Sequence, residues 1–511
     1  MQEPDALRQI TTGARVRLLD ALLIGAIAIG LALALLRVLF DQFDTDELQH
    51  THIAWLTAGG EVPYRDFWDH HGPLYSLFNA ALSAAAEPVP GVELQLALRA
   101  INWGLAVGLV ILTFRLGRAA AATRPAALAA AALLAATYHF QDVGTEIRPD
   151  VLQNVCWLAG LLLVARQLER PLVRTAVAAG ALFGLAVVTN MKAILGPMFV
   201  AVFYALAVLR DWLPRRRAMA DCLLFTGGAL LPLVPILAWF WREDALEPLL
   251  RMTTLWNLAA VGIDAVATPS RTNLLFFLTR QTPLLLAFAV GAWLVIRHLR
   301  YASESPVPKA QLLVLVTGTG TAAFWSVNYF YPQYLLICLP LIAVTAGPGL
   351  LALGSLAGRA WRPPESRATV VVAGLALFYL LGMAAVRTPI TTHPNLLRQQ
   401  ELTAYVLANS TRDEPIGVFF GACAGYVFNR NVQYWWAAAG DVGIVIDRYS
   451  GEDAFGSAMR DRLGAMDVRW LVGREDVAAG LPPETVDYIK RNFDYQDCLW
   501  TAKRPTADGS R

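Results

Sequence analysis

Long apolar runs recur along the chain, separated by short polar connectors. They lie at about 18–40, 94–114, 125–141, 150–165, 172–189, 193–209, 220–241, 274–296, 310–327, 334–356 and 369–386. A helix needs about 20 apolar residues to cross the hydrocarbon core, so the pattern predicts about eleven spans. The first run follows Arg8, Arg15 and Arg17, and no small-residue cleavage signature follows it, so it reads as a retained span. If the N-terminus is cytoplasmic, the arginines at 115, 118 and 124, at 166, 170 and 174, and at 210 and 215–217 fall in successive cytoplasmic loops. Arg297, Arg300 and Lys309, and then Arg359, Arg362 and Arg367, fall on the same side.

That orientation places residues 41–93, 142–149, 242–273 and 387–511 outside. The expected organisation is a transmembrane body over 1–386 with an external loop at 41–93, followed by an external soluble α/β domain over 387–511. Within that tail, Ile416–Phe420, Val468–Val472 and Tyr495–Thr501 read as strands, and Leu396–Asn409 and Pro483–Asn492 as helices.

Composition agrees with a bilayer protein. Hydrophobic residues make up 56% and charged residues 16% of the 511, against roughly a quarter charged in soluble proteins. With 42 basic and 40 acidic residues, no overall charge points to nucleic acid. Cys156, Cys222 and Cys338 sit singly in apolar runs, whereas Cys423 and Cys498 fall in the tail, where an exported domain permits a disulfide between them.

The candidate chemistry lies in the first loop. Asp44, Asp46 and Glu47 open a helix of about three turns that ends at Gly59-Gly60. Asp44 with Glu47 three residues later matches a capping box, and that structural role stands level with a functional one. Asp46 has no such duty, so function is the better reading of it. A carboxylate can take the proton from an attacking hydroxyl, and a sugar phosphate already carries a competent leaving group. The same three acids could instead hold a hard divalent cation, Mg²⁺ or Mn²⁺, although the sequence requires no cofactor.

Helpers are read in the same way. Arg148 opposes the dipole of the helix that Pro149 and Asp150 open, which a phosphate would compensate. Lys192 is a lone outer lysine in a short turn, where snorkelling competes with phosphate binding. His70 and His71 can hydrogen-bond sugar or phosphate, but two histidines alone make no zinc set.

Asp46-Glu47 after the first span, Gly-x-Val-Pro-Tyr-x-Asp-Phe at 60–67 and His-His-Gly-Pro-Leu at 70–74 resemble the first external loop of bacterial GT-C-fold glycosyltransferases. These are the relatives of protein O-mannosyltransferases and lipid A aminoarabinose transferases. Arg148-Pro149-Asp150, Thr189-Asn190-Met191-Lys192 and the Tyr/Pro-rich stretch 329–340 continue the resemblance, which covers roughly 18–356. It implies a GT-C-like membrane fold, a polyprenyl-phosphate sugar donor, a lipid, glycan or protein acceptor, and inverting transfer on the outer face of the inner membrane. It also implies Asp46 in the place of the family's catalytic Asp. Two positions depart from the pattern: His71-Gly72-Pro73 stands where some relatives carry Lys-Pro-Pro, and Gln333 where a charged residue or histidine is expected. A transporter or flippase of lipid-linked sugars, and an assembly protein that holds glycan through its tail, are the competing classes; nearly uncharged span centres argue against transport.

Overall fold

The computed structural model describes residues 14–67, 69–86, 92–121, 123–255, 274–299, 306–328, 332–361, 365–411, 416–418, 432–434, 470–473, 475, 483–496 and 498–503. The body is helical. In chain order it runs α1 (Ala14–Phe40), α2 (Thr45–Ala58), α3 (Pro73–Ala86), α4 (Val92–Ala121), α5 (Arg124–Ala136), α6 (Tyr138–Val143), α7 (Pro149–Glu169) and α8 (Val173–Thr189). A 3₁₀ turn at Met191–Ile194 leads into α9 (Leu195–Leu209), α10 (Arg215–Arg242) and α11 (Leu246–Leu250). Then follow α12 (Thr282–Leu299), α13 (Pro306–Asn328), α14 (Pro332–Leu335), α15 (Leu339–Trp361), α16 (Glu365–Ala385) and α17 (Pro394–Asn409).

Among the described residues, eight helices are long and apolar enough to cross a membrane, rather than the eleven expected. For two of the three the cause is length. Helices α5 and α8, at 13 and 17 residues, reach only about 20 and 26 Å at the helical rise, short of the ~30 Å hydrocarbon core. Burial explains how so short an element as α5 persists. It is almost entirely alanine and leucine, and Ala126 through Ala136 are buried. It packs against α1, α4 and α15. Small side chains let backbones approach closely, as at Gly30 of α1, where an added Cβ would lie 2.3 Å from the Ala135 carbonyl oxygen.

Among the described residues of the tail, five strands form one sheet in the order β2-β1-β3-β5-β4. Its strands are β1 (Ile416–Val418), β2 (Val432–Tyr434), β3 (Trp470–Val472), β4 (Phe493–Gln496) and β5 (Leu499–Ala502), with helix α18 (Pro483–Asn492) before β4. β1 pairs in parallel with β2 and β3, and β5 runs antiparallel to β3 and β4. The segment read as one strand at Tyr495–Thr501 is instead a hairpin, turning where Cys498 takes a positive φ of 72°. Cys498 is disulfide-bonded. Cys423, its expected partner, lies outside the described residues.

Tail and first loop share one apolar core. Phe43, Leu48, Tyr75, Leu98 and Ile147 cluster with Leu396, Val406, Ile416, Trp470 and Val472. Gln399 of α17 clasps the entry to α2, accepting from the Phe43 N–H at 2.9 Å and donating to its carbonyl at 3.0 Å.

Candidate active site

The start of α2 is built as the sequence predicts. Asp44 is the N-cap, its side chain accepts from the Asp46 N–H at 3.0 Å, and the Glu47 carboxylate accepts from the Asp44 N–H at 2.9 Å, completing a capping box. Glu47 does more than cap. Its fully buried carboxylate receives Arg99 Nε at 2.7 Å and Arg99 Nη2, and also the Ile147 N–H at 3.0 Å. Arg99 in turn donates to the Asp41 and Gln42 carbonyls at 2.8 and 2.6 Å and lies over the Phe43 ring. One buried ion pair thus locks the end of α1, the start of α2, α4 and the connection into α7.

Asp46, on the open side of the same turn, keeps 34% of its side chain exposed and is held by Arg148 Nη2. Arg148 caps α7 with extended backbone, and Pro149 follows at the first helical position. Its guanidinium also meets Glu146 at 2.7 Å and Asp44 at 3.8 Å. The cation that opposed the helix dipole therefore has three carboxylates around it. Burial, followed by the neighbouring charges of Asp44, Asp142 and Glu47, pushes the Glu146 carboxyl well above its ordinary range.

Two residues further along α7, Asp150 sits 3.8 Å from Lys192 Nζ. Lys192 is presented by the 3₁₀ turn, whose Asn190 accepts from the Lys192 N–H at 3.2 Å. Its ammonium lies 3.8 Å from the centroid of Tyr334, the last tyrosine of the stretch 329–334. Tyr329, Phe330 and Tyr331 lie outside the described residues.

His70 and His71 reach the same place by a different route. At 60–67, Asp66 accepts from the Val62 N–H at 2.7 Å and so closes a turn, while Tyr64, at a positive φ of 71°, donates from its hydroxyl to the His71 carbonyl at 2.5 Å. Gly72 then presses against the end of α8, where an added Cβ would meet the Val188 carbonyl oxygen at 2.1 Å. This close approach brings the histidines beside Lys192. His71 packs on His50 and His70, with ring centroids 4.6 and 3.8 Å apart. Asp69 accepts from the His71 N–H at 3.0 Å. Burial holds the three imidazoles well below their ordinary pKa and raises that of Asp69.

All eight sequence candidates therefore converge on one end of the bundle, in two adjoining groups that α7 connects. Arg148 faces the acids, and Asp150 faces the lysine. Sequence reasoning missed Arg99 and His50. The signals for Arg99 and His50 were a lone arginine near the end of an apolar run and a histidine on the buried face of α2. The three loop carboxylates do not stand together as ligands for a hard cation: Glu47 is committed to Arg99 and Asp46 to Arg148.

The helical body, its buried short helices and the loop-and-tail cap form a multi-span membrane protein with a GT-C-like fold. Residues 88–239 match the family model described as dolichyl-phosphate-mannose-protein mannosyltransferase, a segment that contains Arg99, Glu146, Arg148, Asp150 and Lys192. The fold is similar to that of ArnT from Cupriavidus metallidurans bound to undecaprenyl phosphate, with a TM-score of 0.61 at 14% identity over 96% of this chain and 99% of that one. It is also similar to the Archaeoglobus fulgidus oligosaccharyltransferase AglB in complex with an inhibitory peptide and a dolichol-phosphate, with a TM-score of 0.59 at 13% identity over 95% and 74%. An Archaeoglobus fulgidus oligosaccharyltransferase in complex with zinc and sulfate aligns with a TM-score of 0.59 at 14% identity over 92% and 71%. No curated protein matches the sequence significantly.

Proposed function

We propose that this protein transfers a sugar from a polyprenyl-phosphate donor to a hydroxyl-bearing lipid, glycan or protein acceptor, with inversion, at the outer face of the inner membrane. The observation that carries the reading is the pairing of a partly exposed carboxylate, Asp46, with a cation pocket at Lys192 through residues two apart on α7, Arg148 and Asp150. The solved relatives bound to undecaprenyl phosphate and dolichol-phosphate support the donor class.

In this mechanism Arg148 fixes Asp46 in position and Asp46 takes the proton of the acceptor hydroxyl. The acceptor oxygen forms its bond to the anomeric carbon as the bond from that carbon to the phosphate oxygen breaks. The phosphate leaves with the electron pair, and Lys192 and His71 meet its charge. Inversion requires the carboxylate and the cation to act from opposite faces of the anomeric carbon.

The direct test supplies purified protein with radiolabelled polyprenyl-phosphate sugars and an acceptor extract. Release of carrier by the wild type and its loss in Asp46→Asn support the reading; equal turnover by the two removes Asp46 as base, and absence of turnover with every donor removes transfer. Sidedness is read separately, from labelling of cysteines introduced at Glu61 and at Leu209 in intact cells, where only the first is expected to react.

A further inference from the structure

We propose that His50, Asp69, His70 and His71 form a binding site for one divalent ion of the zinc class, apart from the Asp46 carboxylate group. One ligand atom from each of Asp69, His70 and His71 lies within 4.8 Å of the other two. His50 of α2, outside that group of three, has its ring against His71 at 4.6 Å between centroids and is assigned as the fourth ligand. A tetrahedral ion with bonds of about 2.0–2.2 Å holds its ligand atoms within about 4 Å of one another, so rotamer changes of roughly an ångström suffice.

A hydrogen-bonded turn explains Asp69, which accepts from the His71 N–H. It does not explain why two further imidazoles are buried against it from separate positions. His50 is only 3% exposed. An ion accepting the nitrogen lone pairs would account for all four residues at once. Three imidazoles with one carboxylate favour Zn²⁺ or Co²⁺ over Mg²⁺ or Mn²⁺, which prefer oxygen. The ligands are also well supported. His50 is carried by the helix that Glu47 and Arg99 lock, while the Tyr64 hydroxyl grips the His71 carbonyl. Such outer partners fix ligand orientation in known sites. Bound there, the ion ties the 69–72 loop to α2 and adds positive charge beside Lys192.

The test uses the full chain in detergent, carried on a tag free of histidine, stripped with chelator and reloaded with Zn²⁺ or Co²⁺. Metal analysis is expected to give about one equivalent per chain, and cobalt to give the intense visible absorption of a four-coordinate site. The pair His50→Gln with His70→Gln should lose both signals, Asp46→Asn should keep both, and excess Mg²⁺ should not compete. Should the double variant fail to elute as a folded species, Asp69→Asn carries the same comparison. Substoichiometric metal in the wild type, or undiminished metal and an unchanged cobalt spectrum in the folded ligand variants, overturns the proposal. None of these readouts requires turnover, so failure here is separable from failure of the transferase reading.

Discussion

The two polar groups at this end of the bundle are built on opposite principles. Around α2, Asp44, Asp46 and Glu47 face Arg148 and Arg99 in direct ion pairs, while burial favours the protonated form of Glu146 beside Arg148. Around Lys192, three imidazoles held neutral by burial surround one lysine and one loop carboxylate, with Asp150 at 3.8 Å as its ion-pair partner. The first group is close to saturated, apart from the exposed edge of Asp46, and is suited to holding a single carboxylate at a fixed angle. The second has cationic and Lewis-basic capacity to spare, and so is suited to receiving an anion or an ion from outside. Proximity of charge alone does not distinguish a scaffold from a receptor site; the balance of partners does.

This division predicts separable kinetics. Asp46→Asn should lower turnover by about 10²–10⁴-fold, the usual contribution of a positioned base, with little change in donor KM or melting temperature. Steady-state assays with labelled donor check it; a change confined to KM would merge the two groups. Glu47→Gln should act on the fold, because leaving Arg99 buried without its partner costs about 3–5 kcal/mol. Thermal unfolding in detergent measures this, and a stable, inactive Glu47→Gln would instead make Glu47 part of the chemistry.

On the receptor side, Lys192→Met should raise donor KM about ten- to hundred-fold through loss of a charge-assisted phosphate contact, leaving turnover at saturation much less affected. Gly72→Ala must displace either the loop or the Val188 carbonyl at a 2.1 Å contact. A destabilisation of about 1–3 kcal/mol is expected, together with a rise in donor KM, since the histidines would move away from Lys192.

The smallest effect concerns Glu146 and pH. Its carboxyl is raised in the folded protein, so the folded state retains a proton that the unfolded chain has lost above its ordinary value of about 4.5. Stability from this group is therefore present at low pH and lost as pH rises through the elevated value. Glu146→Gln should melt about 1–2 °C above the wild type at pH 8, with the two curves converging toward pH 5. A constant gap across that range would assign the effect to packing rather than to the proton.

Much of this end was legible from local pattern. Asp44 and Glu47 are three residues apart and form the capping box their spacing predicts, and Pro149 opens α7 as a first-turn proline should. The helices Leu396–Asn409 and Pro483–Asn492 also fall where periodicity places them, within two residues at one end. The second duty of Glu47 was not legible, because its partner Arg99 lies 52 residues away on another helix. The Asp46–Arg148 contact spans 102 residues and the Phe43–Gln399 clasp 356. No local spacing rule connects such positions.

By itself the sequence determined a membrane-embedded helical body, a polar first loop that starts a helix at Asp44, and a mixed α/β tail. Those features follow from burial length, period and cap chemistry, which act over a few residues to a few turns. Tertiary structure alone decided which carboxylate is buried and which keeps an exposed edge, because that depends on which cations the packed helices deliver. It placed Arg99 on Glu47 and Arg148 on Asp46. It also used the absent side chain of Gly72 to set two histidines against a third and beside a lysine more than a hundred residues away.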